Sequence, residues 1–432
     1  MDNFGIRLGG RVRIGFLPLV MSGLVLSATL IWILGGYYSY DIHSLISYVS
    51  NEPPSYVVNV LVGDRYFGVH TFGDYLLAHD YATVGNPWIN SISLSNNYPP
   101  LAMGFFWLLS FLPYKLGLIF FLLLSMCSML YPIFAELKRN NLFSKYGTLL
   151  VPIALSVGFI TSLDRGNSVA LLVTPLYLFF RALREEKWGR SSALLAFLIA
   201  FKVYPILLLL AYIPRKKFKA ALEAVFLSLG ASFIIATLFQ GGYVEKINAI
   251  VRGILGYRGT MPTEVNPSNV SLYSAWTRIL SNFPGLGEEY QFLTSHPWWI
   301  GIFYFLLVLF VVVARVVPYE ISILLLVSSL WLVAPLSLHY VTSLLIVPIA
   351  MSLGLSKRAL AKAASSRFDF LYSVATLAIL STLLPIVIPA ENGHENAMRV
   401  GSSMFWLLCA LVGTLTSIGG LLRKKEHSKT QA

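Results

Sequence analysis

The sequence predicts an all-α, polytopic integral membrane protein, because charge is scarce, apolar runs are long and basic residues lie between those runs. The 432-residue chain is 56% hydrophobic and 12% charged, with a mean hydropathy of +0.70. Soluble domains carry about 25% charged residues, so a soluble enzyme is excluded. The net charge of +12 collects in short loops, as membrane orientation requires. It predicts membrane lipids, not nucleic acid, as neighbours.

A membrane-spanning helix needs about 20 apolar residues, and the suitable runs predict ten crossings. They are about 14–36, 114–135, 146–162, 166–182, 219–240, 299–317, 320–337, 338–354, 369–389 and 400–423. Two more segments are ambiguous, because 99–113 is short and 191–213 is interrupted by Lys202 and Pro205. Twelve helices result if both cross. The basic clusters favour broken or re-entrant segments and ten crossings.

Basic residues also predict orientation, because cytoplasmic loops are enriched in Lys and Arg. Arg7, Arg11 and Arg13 precede the first run and a basic segment follows the last, so both termini are expected in the cytoplasm of a cell-membrane protein. The loop 37–98 holds five acids and one base. It is expected outside the cell, and so is the loop 241–298, which has four of each.

No internal repeat is visible, and we interpret residues 1–432 as a single membrane domain. Residues 1–240 form a module that contains the long first outer loop. The second outer loop, 241–298, follows, and 299–432 contributes further helices.

Lys202 lies in the middle of the apolar run 191–213, within Ala-Phe-Lys-Val-Tyr-Pro. A lysine at the centre of a membrane helix costs about 2.5–3.5 kcal/mol on insertion scales, and Pro205 breaks the helix beside it. The alternative is that the Lys202 side chain snorkels to the membrane interface and has no functional role, although Lys202 is far from either end of the run. We therefore expect an anionic partner for Lys202.

Four polar residues, Asp164-Arg165-Gly166-Asn167, separate two apolar runs. Gly and Asn are common turn residues, so a simple tight turn is one interpretation. The mouth of a polar cavity is the other, and it makes the acid and the base of this turn candidates for substrate contacts.

The first outer loop holds two acids among aromatic residues, Asp74 and Asp80. Either could supply a carboxylate base. Their spacing of six does not place both on one helix face, so no paired-carboxylate site is predicted. The loop returns to the membrane at Tyr98-Pro99-Pro100, where proline is well suited to a first helical turn.

Other signals are weaker. Arg258 lies in the second outer loop, and His339 begins a late apolar run where a histidine is more often structural. There is no phosphate-binding glycine loop, His/Cys cluster or Ser-His-Asp pattern, and Cys127 and Cys409 lie within apolar runs. We therefore predict no cofactor and no metal, and any activated substrate must arrive from the membrane.

Taken in order, these motifs resemble the GT-C superfamily of membrane glycosyltransferases, and most closely glycosyltransferase family 87. The likeness is carried by Gly73-Asp74-Tyr75, Tyr98-Pro99-Pro100-Leu101, Arg165-Gly166-Asn167 and Lys202-Val203-Tyr204-Pro205. After residue 240 it depends on an Asn-Pro-Ser loop and on Ser337-Leu338-His339-Tyr340. The resemblance implies a GT-C-type helical bundle with a long first extracytoplasmic loop.

The resemblance also implies an activity: inverting transfer of a sugar, mannose first and arabinofuranose second, from a polyprenyl-phosphate donor. The acceptor would be a glycolipid or lipid-linked polysaccharide at the extracytoplasmic face. Asp74 would be the general base, with Asp80 as its rival because Tyr75-Leu76 departs from the family pattern. Lys202 and Arg165 would bind the donor phosphate. Further substrate-binding candidates are Tyr98, Asp164, Asn167, Tyr204, Arg258 and His339.

Two alternatives remain at the level of sequence. A flippase or transporter of a lipid-linked sugar would explain a polar cavity with Lys202 and Arg165, but not the long acidic first loop. An O-antigen-type polymerase usually carries its large outer loop late in the chain, where 241–298 would have to serve.

Overall fold

The computed structural model describes residues 5–8, 12–15, 19–20, 22–23, 72–89, 96–260, 269–281, 298–334, 337–353, 368–383, 388–390, 393–395 and 398–430. The described chain is overwhelmingly helical, which confirms the predicted all-α membrane class. The exceptions are two short antiparallel hairpins, Gly5–Leu8 with Val12–Gly15 and Ile388–Ala390 with Gly393–Glu395.

The α-helices are α1 (Gly73–Thr83), α2 (Pro100–Leu109), α3 (Tyr114–Arg139), α4 (Phe143–Tyr146), α5 (Leu150–Ala154), α6 (Val157–Asp164), α7 (Val173–Arg184), α8 (Trp188–Phe201), α9 (Phe218–Ala236), α10 (Tyr243–Thr260), α11 (Leu272–Ser281), α12 (Trp298–Ala314), α13 (Tyr319–Leu332), α14 (Ile346–Leu353), α15 (Asp369–Leu383) and α16 (Met398–Thr430). Four 3₁₀ segments are present among the described residues: Gly147–Leu149, Ser168–Leu172, Tyr204–Arg215 and His339–Leu345.

Three described helices are long and apolar enough to cross a membrane: α3, α9 and the part of α16 over Ser402–Arg423. A fourth span is possible where Phe143–Ala154 and Val157–Asp164 meet at a bend of 50°. The other apolar helices are shorter, and the ten residues of α2 cover about 15 Å, half of a bilayer core. The total number of crossings and the side on which each loop lies remain predictions.

The predicted first crossing, 14–36, lies mostly outside the described residues. At its start, residues 14 and 15 belong to the strand Val12–Gly15 and not to a helix. Of the loop 37–98, which is predicted to lie outside the cell, the structure describes 72–89, with α1 and the turn that follows it, and 96–98.

The interruption expected at Lys202 is present. Helix α8 ends at Phe201, and Lys202 has extended backbone angles (φ −146°, ψ 138°). The chain then continues as the 3₁₀ segment Tyr204–Arg215, in which Pro205 occupies the first turn. Proline is tolerated there because its missing N–H would have no partner within the helix. Twelve residues is long for a 3₁₀ helix, which rarely exceeds four.

Late helices pack directly against the first half of the chain. The Ser162 hydroxyl of α6 donates to the Tyr340 carbonyl at 3.0 Å. At Gly158 a side chain would lie 2.5 Å from the Ser343 nitrogen, so glycine permits this close contact. The 3₁₀ segment His339–Leu345 thereby supports α6, the helix that ends at the Asp164–Asn167 turn.

Candidate active site

Asp74 is held by two side chains of the polar turn. Arg165 Nη2 donates to Asp74 Oδ1 at 2.8 Å, and Asn167 Nδ2 donates to Asp74 Oδ2 at 2.6 Å. The side chains of Asp74 and Arg165 are 16% and 19% exposed, so the ion pair is largely sheltered yet reachable. The structure therefore brings together an acid, a base and an amide that are about ninety residues apart in the sequence.

Backbone contacts fix the same arrangement. The Phe72 nitrogen donates to the Asp164 carbonyl at 2.6 Å, and the Asp74 nitrogen donates to the Arg165 carbonyl at 3.0 Å. Gly166 has a φ of +61°, and a Cβ there would lie 2.7 Å from the Cβ of Tyr75. Only glycine meets both the left-handed backbone and the close approach without strain.

Each partner of Asp74 is oriented by its surroundings. Asn167 caps the following 3₁₀ segment by accepting from the Val169 nitrogen at 2.9 Å, which points its NH₂ group at Asp74. Burial alone would lower the pKa of Arg165, but the adjacent Asp74 carboxylate outweighs burial and raises that pKa above its usual value. Tyr340 also lies close enough to act electrostatically on Arg165.

Lys202 approaches this group from the break after α8. Its Nζ lies 4.0 Å from the centroid of the Tyr98 ring, a cation–π contact. Among the described residues the ammonium has no hydrogen-bond acceptor. The negative charge of Asp74 acts on Lys202, so the two belong to one electrostatic site.

Polar bonds place Tyr98 for that contact. Its carbonyl accepts from Trp88 Nε1 at 2.9 Å, and its nitrogen donates to Asn96 Oδ1 at 2.9 Å. Asn86 in turn donates to the Gln240 carbonyl at 2.8 Å, beyond the end of α9. The return of the first outer loop is thus anchored on a long apolar helix.

The remaining sequence candidates have varied positions. Asp80 is on the exposed side of α1, with its side chain 58% exposed and 3.6 Å from His79. Tyr204 follows Lys202 directly, and its buried hydroxyl has no hydrogen-bond partner within the described part of the chain. Asp164 lies beside Arg165, and its charge acts on that residue. His339 is buried at the start of the segment that supports α6.

Arg258 belongs to α10, but its side chain lies outside the described residues. Within the described ranges, no group of three or more His, Cys, Asp or Glu side chains is placed to hold a metal ion. Tyr340 was missed by the sequence interpretation, although it is adjacent to His339 and part of the helix start that the resemblance had marked.

A family model describing glycosyltransferase family 87 matches residues 96–335, more than half of the chain. The chain belongs to glycosyltransferase family 87. This confirms the predicted family and establishes a membrane glycosyltransferase that takes a sugar donor and an acceptor. The matched segment contains Arg165, Asn167 and Lys202, whereas Asp74 precedes it. No curated protein matches the chain in sequence.

Proposed function

We propose that this glycosyltransferase transfers a sugar from a polyprenyl-phosphate donor to a glycolipid or lipid-linked polysaccharide, with inversion, at the extracytoplasmic face. Mannose is the first candidate for the sugar and arabinofuranose the second. One observation carries the proposal: a sheltered carboxylate, Asp74, and an ammonium without a hydrogen-bond acceptor in the described chain, Lys202, form one electrostatic site.

Asp74 is the proposed general base. The acceptor hydroxyl attacks the anomeric carbon, its proton passes to Asp74, and the bond from that carbon to the phosphate oxygen breaks. Among the described residues, Arg165 donates to one oxygen of Asp74 and Asn167 to the other, and each carboxylate oxygen can accept a second hydrogen bond. The acceptor hydroxyl can therefore bind without displacing Arg165 or Asn167. The leaving group is the polyprenyl phosphate.

Lys202 is the proposed partner of that phosphate. An ammonium–phosphate contact in a water-poor site belongs to the strong class of charge-assisted hydrogen bonds. It would also supply the anionic partner that a lysine in an apolar segment requires. Arg165 places one nitrogen on Asp74, so we propose that it positions the base and reaches the phosphate only with its remaining donors.

The path of the donor lipid is part of the proposal. An apolar cavity of about 560 Å³ lies between α2, α3 and α8 and is lined by Phe105, Phe197 and Phe201 among others. Phe201 immediately precedes Lys202, so a prenyl chain in this cavity would begin beside the proposed phosphate contact. An aliphatic chain matches such walls, whereas a soluble nucleotide sugar would not.

Membership of a glycosyltransferase family favours catalysis over the flippase and polymerase alternatives. The test is direct transfer by the purified protein in detergent. Radiolabelled polyprenyl-phosphate mannose and polyprenyl-phosphate arabinofuranose are offered separately with envelope glycolipids, and label is followed into more polar lipids. We expect transfer from one donor, and a loss of about 10²–10⁴-fold in Asp74→Asn.

Asp80→Asn is the matched control, because it makes the same change six residues away on the exposed face of α1. Transfer that is normal in Asp74→Asn and lost in Asp80→Asn would contradict the assignment of the base. Transfer from neither donor, with donor binding that survives Asp74→Asn, would support a transporter instead.

A further inference from the structure

A second cavity lies at the other end of the helices that carry the site. The 3₁₀ segment Tyr204–Arg215 begins beside Lys202 and ends at Arg215, roughly 24 Å away along its axis. Helix α7 likewise runs away from the Asp74 site toward Arg184. Between the far ends of these elements and α12 and α13 is a cavity of about 370 Å³.

Arg215 is held at this cavity by neutral groups only. Its Nη1 donates to the Leu183 carbonyl at 2.8 Å, near the end of α7. The guanidinium centre lies 5.8 Å from the Trp188 ring and 5.5 Å from the Tyr319 ring. Among the described residues, Arg215 has no carboxylate within salt-bridge distance, so its charge is oriented but not neutralised.

Two further groups would favour an anion in the same cavity. The buried hydroxyl of Tyr319 lies within reach of the Arg215 guanidinium, and its own proton has no acceptor within the described part of the chain. Arg315 follows α12 and lines the cavity with an exposed side chain.

The remaining walls are apolar, among them Phe180, Val312 and Leu326. The acid at the cavity, Glu186, is exposed to solvent, as Arg315 is, so solvent screens both charges and the partly buried Arg215 is the main charged group of the cavity. A cavity with a cationic, hydrogen-bonding part and apolar walls matches an amphiphile with an anionic head. Free phosphate would satisfy the polar part alone and leave the apolar walls without a partner.

We propose that this cavity is a binding site for the phosphate headgroup of an anionic membrane lipid, whose acyl chain packs on the apolar wall. Arg215 and Arg315 bind the phosphate, and the Tyr319 hydroxyl donates to it. The site is separate from the donor site at Lys202 and rests on no step of the proposed transfer reaction.

The test measures binding to the full-length protein in detergent, with short-chain lipids that dissolve as monomers. Dihexanoyl phosphatidic acid is the probe, dihexanoyl phosphatidylcholine is the zwitterionic lipid with the same chains, and inorganic phosphate is the head without chains. We expect phosphatidic acid to bind about tenfold more tightly than phosphatidylcholine, which offers about one charge-assisted contact fewer, and about tenfold more tightly than inorganic phosphate, which lacks the apolar chains.

Variants then locate the site. Arg315→Gln and Tyr319→Phe leave the Arg215–Leu183 bond intact and should each weaken phosphatidic acid binding severalfold. Arg190→Gln removes an exposed arginine in the same region that does not line the cavity, and should change nothing. Binding should also persist in Lys202→Met, because the donor site is elsewhere.

Three results would overturn the proposal. Equal binding of phosphatidic acid and phosphatidylcholine would show that the cavity does not select an anionic headgroup. Equal binding of inorganic phosphate and phosphatidic acid would show that the ligand is a free anion and not a lipid. Loss of binding in Lys202→Met, with no effect of Arg315→Gln or Tyr319→Phe, would show that the lipid binds at the donor site.

Discussion

Two lysines of this protein are withdrawn from solvent, and they differ in whether the protein supplies hydrogen-bond acceptors for the ammonium group. Lys246, in α10, is 3% exposed, and its ammonium donates to the carbonyls of Ala236 and Phe239 at 2.8 and 2.5 Å. It thereby closes the carboxyl end of α9, where the last carbonyls lack partners within the helix. Lys202 is partly buried, its ammonium contacts the Tyr98 ring, and it has no hydrogen-bond acceptor in the described chain.

This difference in hydrogen-bond acceptors distinguishes a lysine that serves the fold from a lysine that is available to a ligand. A buried charge that is held by hydrogen bonds costs the fold little, whereas one without them destabilises the fold until a ligand arrives. Lys246 belongs to the first kind and Lys202 to the second. The substitution of each should therefore affect a different measurement.

The largest effect on donor affinity is expected for Lys202→Met, which keeps the length of the side chain and removes its charge. Donor affinity should fall about 10–100-fold, the value of one strong charge-assisted contact. The midpoint of thermal unfolding should stay unchanged or rise, because no protein hydrogen bond is lost. Unchanged affinity for the polyprenyl-phosphate donor would show that Lys202 only snorkels to the interface and has no role in binding, and the functional difference from Lys246 would be contradicted.

Lys246→Met should show the reverse. Two carbonyls would lose their donor in a buried position, a loss of about 1–3 kcal/mol in the free energy of unfolding. Thermal unfolding in detergent measures the loss, and the affinity of the remaining folded protein for the donor should not change. A drop in donor affinity without loss of stability would assign Lys246 to the substrate site instead.

The sequence singled out Lys202 but not Lys246, and the reason is local. Lys202 interrupts an apolar run, so its cost is visible from its neighbours alone. Lys246 lies in a polar stretch, and its partners are two carbonyls that become available only when α9 ends and α10 turns back. Backbone acceptors of this kind leave no mark in the sequence.

The candidate site was also predictable only in part: its residues could be identified from the sequence, but their contacts could not. Asp74 and the Arg165-Gly166-Asn167 turn were each identified, because polar groups beside apolar runs are unusual. Their pairing was not predicted, since it depends on the packing of α1 against the end of α6. For the same reason the contacts of Asn269, which joins two distant loops, were not predicted.

Asn269 allows a further comparison, because it is a buried polar residue whose side chain has hydrogen-bond partners in the protein. It is 0% exposed, and its Oδ1 accepts from the nitrogens of Ser271 and Ser337 at 3.1 and 3.0 Å. Asn269→Ala should lower the free energy of unfolding by about 1–2 kcal/mol. Asn269→Asp keeps the oxygen that accepts both hydrogen bonds and should recover part of the loss. Equal instability of both variants would show that packing, not these bonds, matters.

The smallest expected effect concerns the ring beside Lys202. A cation–π contact is worth about 0.5–2 kcal/mol, so Tyr98→Leu should weaken donor binding severalfold by leaving the ammonium less well positioned. Tyr98→Phe keeps the ring and should bind the donor nearly as well as the unchanged protein. If Tyr98→Phe loses as much affinity as Tyr98→Leu, the hydroxyl is what the donor contacts. Tyr98 would then join the residues that bind substrate directly, and Lys202 would need no aromatic partner to hold its position.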